Sequence, residues 1–401
     1  MSKPDSAFSI ERTNRLRGML IVGIFIFHFA GMFPYETVPG VGHLLVGAFF
    51  MLSGFGLMES FKSKKNYLDD FIGKKTARLL VPVWIAGLFV LVFQLFVFDN
   101  HSILSDQRYL YDLISGGPAS TVTWFVVELI FFYMFFYVSF KYLKPKLAIA
   151  AVTAMVFVMM VLLSQQLPMW YGSGMMFPVG LIWSYYRDRI ESVRPHNILI
   201  VSICATAILA YAVSKNLEPA INNLVYGNLQ CLLVGTILLA SLVMRKNNTI
   251  WWLTTLLLCN IVYYVSGIQL GHLDNLAVIL PLITILLIIA GLDALSPLTD
   301  FMGEISYEFY IIHGVMILVS KEWFPDMMTC FIFSFILSIV FAFAITWLRH
   351  PLVRRMNLHS ARCRDRGRPP SVSHICPISL TDPIRCRPDN RIPSHRTLRI
   401  R

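Results

Sequence analysis

Apolar runs of roughly twenty residues, parted by short polar stretches, recur from residue 17 to residue 348, and each is long enough to cross a bilayer's hydrocarbon core as one helix. They lie near 17–34, 41–60, 78–98, 121–140, 147–164, 168–185, 197–213, 228–244, 250–268, 276–292, 305–320 and 328–348. The pattern predicts an all-α fold, a polytopic transmembrane helix bundle of about 10 to 12 spans. Basic residues in the short loops orient it. Arg12, Arg15 and Arg17 precede the first run; Lys62, Lys64, Lys65, Lys74, Lys75 and Arg78 follow the second; Lys141, Lys144 and Lys146 the fourth; Arg187, Arg189 and Arg194 the sixth; Arg245 and Lys246 the eighth; Arg349 and Arg354 the last. The alternate loops 35–40, 99–120 and 269–275 are poor in both, so both termini are expected in the cytoplasm.

Composition agrees with this class: 56% of the 401 residues are hydrophobic and 14% charged. The formal net charge of +11 raises nucleic acid as a partner until it is localised. Residues 349–401 hold 13 Arg, no Lys and three Asp, and the body before them carries 21 basic against 20 acidic residues. A near-neutral body gives no electrostatic case for nucleic acid. Three segments follow: 1–16, an N-terminal cytoplasmic segment; 17–348, the transmembrane domain; and 349–401, a basic tail expected to be disordered. That Lys-free tail fits out-of-frame translation as well as a genuine segment touching anionic lipid. No removable signal peptide is expected from the polar first seventeen residues. Seven cysteines lack metal-ligand spacing, and Cys204, Cys231, Cys259 and Cys330 read as packing residues. No metal site is expected.

Ionisable groups inside the apolar runs are the candidate chemistry. Arg17 and His28 are eleven residues apart, which returns them to one helix face about 16 Å apart along the axis. The spacing puts Arg17 at the cytoplasmic rim and His28 near the midplane. Read structurally, Arg17 is a snorkelling rim residue and His28 a histidine bonded to a neighbouring helix. In EISYEFYIIHGV, Ser306, Tyr307, Tyr310 and His313 form a polar stripe along one side of a helix. TWFVVELIFFY sets Glu128 one turn after Trp124, where its carboxyl could orient a histidine, donate a hydrogen bond, or simply pair structurally. Glu308 reads as structural. Lys74, Lys75 and Arg78 are topogenic charges or, read more sharply, a cluster able to hold phosphates.

Together the segments resemble the membrane-bound acyltransferase family 3, which includes bacterial polysaccharide and peptidoglycan O-acetyltransferases. The resemblance runs from about Arg12 to Arg355 through RLRGMLIVGIFIFH, FFMLSGFGL (with Ser53), FIGKKTARLLVPVW, WFVVELIFFY and ISYEFYIIH, in the family's order. It implies a bacterial inner-membrane, multi-pass enzyme with acetyl-CoA as donor substrate, no bound cofactor, and a hydroxyl acceptor on a carbohydrate or lipid-linked sugar. It carries over Arg17 and His28 as catalytic, with His313 and Glu128 beside them, and Lys74, Lys75 and Arg78 as acyl-CoA contacts. Ser53, Trp124, Ser306, Tyr307 and Tyr310 are the candidates for the substrate or acyl pathway. The basic motif here is Lys75-Thr-Ala-Arg78, where relatives usually have Arg at both ends, and Lys holds phosphate only as a point charge. Membrane lipid and acyl-CoA are the expected partners, and a homo-oligomer stays open.

Acyl transfer from a thioester to an alcohol needs a base, a stabilised oxyanion and two positioned reactants. His28 meets the first need; Arg17, three turns away, is assigned to CoA phosphate or pantetheine. Direct transfer and an acyl-enzyme on Ser306, Tyr310 or a histidine both fit. The rival reading is a proton-coupled transporter or flippase with Glu128 and Glu308 as proton sites, against which stands the lack of a clear internal repeat.

Overall fold

The computed structural model describes residues 10–32, 41–107, 124–166, 168–192, 197, 204, 224–225, 227–232 and 296–367. Every regular element among them is helical, and no strand occurs among the described residues. The helices are α1 (Ile10–Gly31), α2 (Val41–Ser63), α3 (Phe71–Phe96), α4 (Trp124–Tyr142), α5 (Pro145–Leu163), α6 (Met176–Tyr185), α7 (Arg187–Ser192), α8 (Ser296–Glu304), α9 (Ser306–Trp323) and α10 (Met327–Gly367). By length and composition five of these are able to cross a membrane (α2 to α5 and α10), and α8 with α9 forms one further bent candidate. The expected spans 197–213, 250–268 and 276–292, most of 228–244, Cys259, and the tail beyond residue 367 lie outside the described residues. The chain divides into two units, Met1–Asn357, which carries the bundle, and Leu358–Arg401, whose residues 358–367 are helical.

Several boundaries differ from the sequence pattern. Helix α1 begins at Ile10, not at residue 17, because its polar first turns are held against α8. Asn14 Nδ2 donates to the Asp300 carbonyl at 2.9 Å, and Arg15 Nε meets the Asp300 carboxylate at 3.2 Å. The helix stops at Gly31, so His28 sits in its last turn and not near its middle. The run at 168–185 is not one helix. A 3-10 turn at Pro168–Trp170 and the Gly172–Gly174 stretch precede the ten-residue α6, which is too short to cross a bilayer. The run at 305–320 opens with an 81° break between α8 and α9. Helix α10 continues past the composition change at residue 349 to Gly367, where the sequence suggested disorder. Arg, Leu, Met and Ala extend an existing helix without a new nucleation step. Its start is capped: Thr329 donates its backbone N–H (2.8 Å) and hydroxyl (2.7 Å) to Asp326 Oδ2, which holds that carboxyl below the usual carboxylate range.

Small residues set the helix spacing. Gly54 on α2 lies against the Phe177 carbonyl of α6, and Gly180 on α6 against the Met51 carbonyl of α2, so the two backbones touch with no room for a Cβ. Gly18 on α1 and Gly303 on α8 make the same kind of approach, fixing the turn that carries Arg17. Phenylalanines fill the space between. Phe50, Phe132, Phe136 and Phe177 are fully buried, with Phe50 and Phe125 at 4.8 Å and Phe132 and Phe177 at 5.1 Å between ring centroids. Cys231 and Cys330 are buried thiols as expected, whereas Cys204 is exposed.

Gly180→Val should lower stability by about 1–3 kcal/mol or more, since its methyls meet backbone that cannot swing aside. Gly73→Ala, on α3 with open space around it, should be neutral or stabilising by up to about 1 kcal/mol. Thermal unfolding followed by size-exclusion in detergent checks both.

Candidate active site

One cavity of about 290 Å³ lies among α1, α2, α3, α4, α9 and α10. Its lining repeats at helical spacing: Val46, Phe49 and Ser53 from α2, and Phe125, Leu129 and Tyr133 from α4. Into it come four cationic residues, Arg17 from α1, Lys75 and Arg78 from α3, and Arg349 from α10. Arg349 pairs with the buried Glu308 of α9. Among the described residues no carboxylate pairs with Arg17, Lys75 or Arg78. Lys75 instead holds its ammonium 5.6–5.9 Å from the ring centroids of Tyr67, Phe71 and Tyr133, a cation–π arrangement that leaves a net positive site. The Tyr307 hydroxyl donates to the Leu79 carbonyl at 2.7 Å, tying α9 to α3 across the cavity. Ser306 donates to the Gly303 carbonyl at 2.9 Å, which commits its hydroxyl proton to the α8–α9 turn.

Tyr310 closes the wall and links the cavity to a pair of histidines. Its carbonyl lies 2.7 Å from His313 Nδ1, and His313 Nε2 lies 2.8 Å from His28 Nδ1. A carbonyl can only accept, so His313 carries its proton on Nδ1 and, as a neutral imidazole, accepts at Nε2. His28 Nδ1 is then the donor, and the lone pair of a neutral His28 sits on Nε2. The chain from carbonyl to imidazole to imidazole thus fixes one tautomer and leaves one nitrogen able to take a proton. Aromatic packing holds the pair: Phe309 stacks on His313 at 6.0 Å with rings 10° apart, and Phe25 stands edge-on at 6.4 Å.

The cavity gathers seven of the sequence candidates: Arg17, Lys75, Arg78, Ser53, Ser306, Tyr307 and Tyr310. His28 and His313 adjoin it through Tyr310. Glu128 is fully buried, and among the described residues neither its two carboxyl oxygens nor the Tyr310 hydroxyl has a hydrogen-bond partner. It orients neither histidine: His313's ring nitrogens are taken by Tyr310 and His28, and His28 Nδ1 by His313. Two candidates fall elsewhere. Lys74 faces outward in an ion pair with Asp70 at 3.4 Å, because it is a quarter-turn off the Lys75–Arg78 face. Trp124 packs on Trp170 at 6.1 Å and does not line the cavity. Among the described residues no group of three or more His, Cys, Asp or Glu side chains is placed to hold a metal ion.

Tyr133 and Arg349 line the site without having been singled out for it. Tyr133 was legible as the third member of the Phe125–Leu129 face. Arg349 was visible only as a loop charge, more than 300 residues from Arg17 on α1, with which it shares the cavity. His43, half-buried near the start of α2 and with its Nε2 unpartnered among the described residues, also drew no attention as an isolated histidine.

The profile of the acyltransferase family 3, described as an acyltransferase domain, matches residues 11–269. The chain belongs to this family. No curated protein and no solved structure matches it. The matched residues contain Arg17, His28, Ser53, Lys75, Arg78, Glu128 and Tyr133; Ser306, Tyr307, Tyr310, His313 and Arg349 lie beyond residue 269 and join them only through the packing of α8, α9 and α10.

Arg349→Ala strips the buried Glu308 of its cationic partner and should cost about 3–5 kcal/mol of stability, much of it recovered in Arg349→Ala/Glu308→Leu. Chemical unfolding of the two variants in detergent measures the difference.

Proposed function

We propose that the protein transfers an acyl group, acetyl by family habit, from acyl-CoA to a hydroxyl of a cell-envelope carbohydrate or lipid-linked sugar. The observation that carries the reading is the joining, through Tyr310, of a cation-rich cavity to a histidine pair with a single available base nitrogen. Arg17, Lys75, Arg78 and Arg349 suit the phosphates and pantetheine of a CoA thioester. At about 290 Å³ the cavity is near the small end of ligand sites, so it would take the inner part of the donor and leave the nucleotide toward the rim.

In this mechanism His28 Nε2 removes the proton from the acceptor hydroxyl as its oxygen attacks the thioester carbonyl. The tetrahedral oxyanion is stabilised by the Tyr310 hydroxyl, which has no hydrogen-bond partner among the described residues. Collapse breaks the C–S bond, and the CoA thiolate takes back the proton from His28. Ser306's commitment to the Gly303 carbonyl favours this direct route over an acyl-enzyme on Ser306. The arrangement belongs to a bundle of ten to twelve spans in the bacterial inner membrane, with both termini cytoplasmic and the transmembrane acyltransferase domain at 17–348 between 1–16 and the tail 349–401. One observation favours the rival proton-coupled transporter or flippase: Glu128, fully buried and unpartnered.

Purified protein should turn over acetyl-CoA, by transfer or slow hydrolysis. His28→Ala should lower that rate by about 10²–10⁴-fold, the usual worth of a general base. Arg17→Ala should raise KM for the donor more than it lowers kcat. Unchanged rates in both variants would remove the site from the reaction, and acceptor binding with no CoA turnover would favour the transporter. Incubation with labelled acetyl-CoA and no acceptor should leave no label on the protein; stable label on Ser306 or Tyr310 would replace the direct route.

A further inference from the structure

A second cavity of about 270 Å³ opens along the seam between α3 and α4, and it shares Lys75, Leu79 and Tyr133 with the cationic cavity. Its walls are one face of each helix, Ile72, Thr76 and Leu79 from α3 against Ile130, Met134 and Val138 from α4. Ile72, Met134 and Val138 are 37–49% exposed, so the groove faces outward from the bundle. Eight residues of α3, Ile72 to Leu79, span it, about 10 Å of helix. Around a membrane helix bundle an apolar groove of that reach meets hydrocarbon chains, and its polar end decides which headgroup accompanies them.

That end is Lys75. It lies about one turn inside the start of α3 at Phe71, the depth at which lipid phosphates meet a bundle. Its ammonium is held by three rings, and among the described residues no carboxylate pairs with it. The rim itself is less suited to an anion, because Asp69 and Asp70 line the adjoining rim cavity beside Lys141. We infer that the α3–α4 groove binds an anionic phospholipid from the leaflet on the Lys75 side of the bundle, one acyl chain lying between Met134 and Thr76 and the headgroup phosphate on Lys75. Because Lys75 also lines the cationic cavity, such a lipid sets its phosphate beside the proposed donor site. The binding itself does not depend on whether that cavity takes acyl-CoA.

Native mass spectrometry of the full chain in detergent, titrated with phosphatidylglycerol and with phosphatidylcholine of the same chains, tests this. The expected result is one phosphatidylglycerol retained at least fivefold more tightly than phosphatidylcholine, with inorganic phosphate at millimolar concentration failing to displace it. Lys75→Gln should level the two lipids. Met134→Trp, and independently Val138→Trp, should fill the groove and remove the tightly held copy, while Leu162→Trp on the exposed face of α5 keeps it. Both groove positions are outward-facing, and an unchanged elution volume and melting temperature verifies that each variant folds. Equal retention of the two lipids, an unchanged bound copy in both groove-filling variants, or displacement by inorganic phosphate alone would overturn the inference. So would a dimer that dissociates on Met134→Trp, since that would make a second copy of the chain the occupant.

Discussion

An excess of positive charge within an apolar bundle is the constraint around which this structure is arranged. Arg17, Lys75, Arg78 and Arg349 share one cavity, and among the described residues the only carboxylate paired with any of them is Glu308 on Arg349. Charge withdrawn from water without a counter-charge is costly, so such a site either stays wet or is completed by an anion. The protein limits the cost by other means. Three aromatic rings surround the Lys75 ammonium, and Tyr307 braces α9 against α3 so that the walls keep their distance. The remaining deficit is what makes a phosphorylated donor a fitting occupant.

The far end of the site is built from the opposite kind of chemistry. The histidine pair lies among phenylalanines, and its orientation depends on one backbone carbonyl. Tyr310 serves both ends, its side chain in the cavity wall and its carbonyl on His313. Part of the cavity wall and the carbonyl that orients His313 thus lie on neighbouring parts of α9. The glycine contacts between α1 and α8 hold the Arg17 turn while the other end of α1 is held by the histidine pair.

Much of this was written in local sequence. The Arg17–His28 spacing, the Lys75–Arg78 face and the Ser306–Tyr307–Tyr310–His313 stripe each follow from helical periodicity, and all of them contribute to one place. What periodicity could not supply was set by tertiary packing. Helix α1 begins at Ile10 because Asn14 and Arg15 find Asp300 on α8, nearly 290 residues away, and His28 falls in its last turn. Arg349 joins the cavity for a similar reason, and Lys74 leaves the predicted cluster because adjacent helix positions face different directions. Glu128 was legible as an oddity and remains one in physical terms: a buried carboxyl beside Tyr310 that bonds to neither histidine. The family match ends at residue 269, yet the base-orienting histidine and two of the tyrosines come from beyond it, so the complete site exists only in the folded chain.

The most direct measurement is a cryo-EM structure of the full chain with a non-transferable acetyl-CoA analogue bound. The account predicts the analogue's phosphates against Lys75, Arg78 and Arg349, and its acyl carbonyl past Tyr310 toward His28 Nε2, within about 3–3.5 Å of where an attacking hydroxyl would sit. Phosphates held at the rim by Lys74 and Lys141, with the acyl group pointing away from the histidine pair, would contradict it.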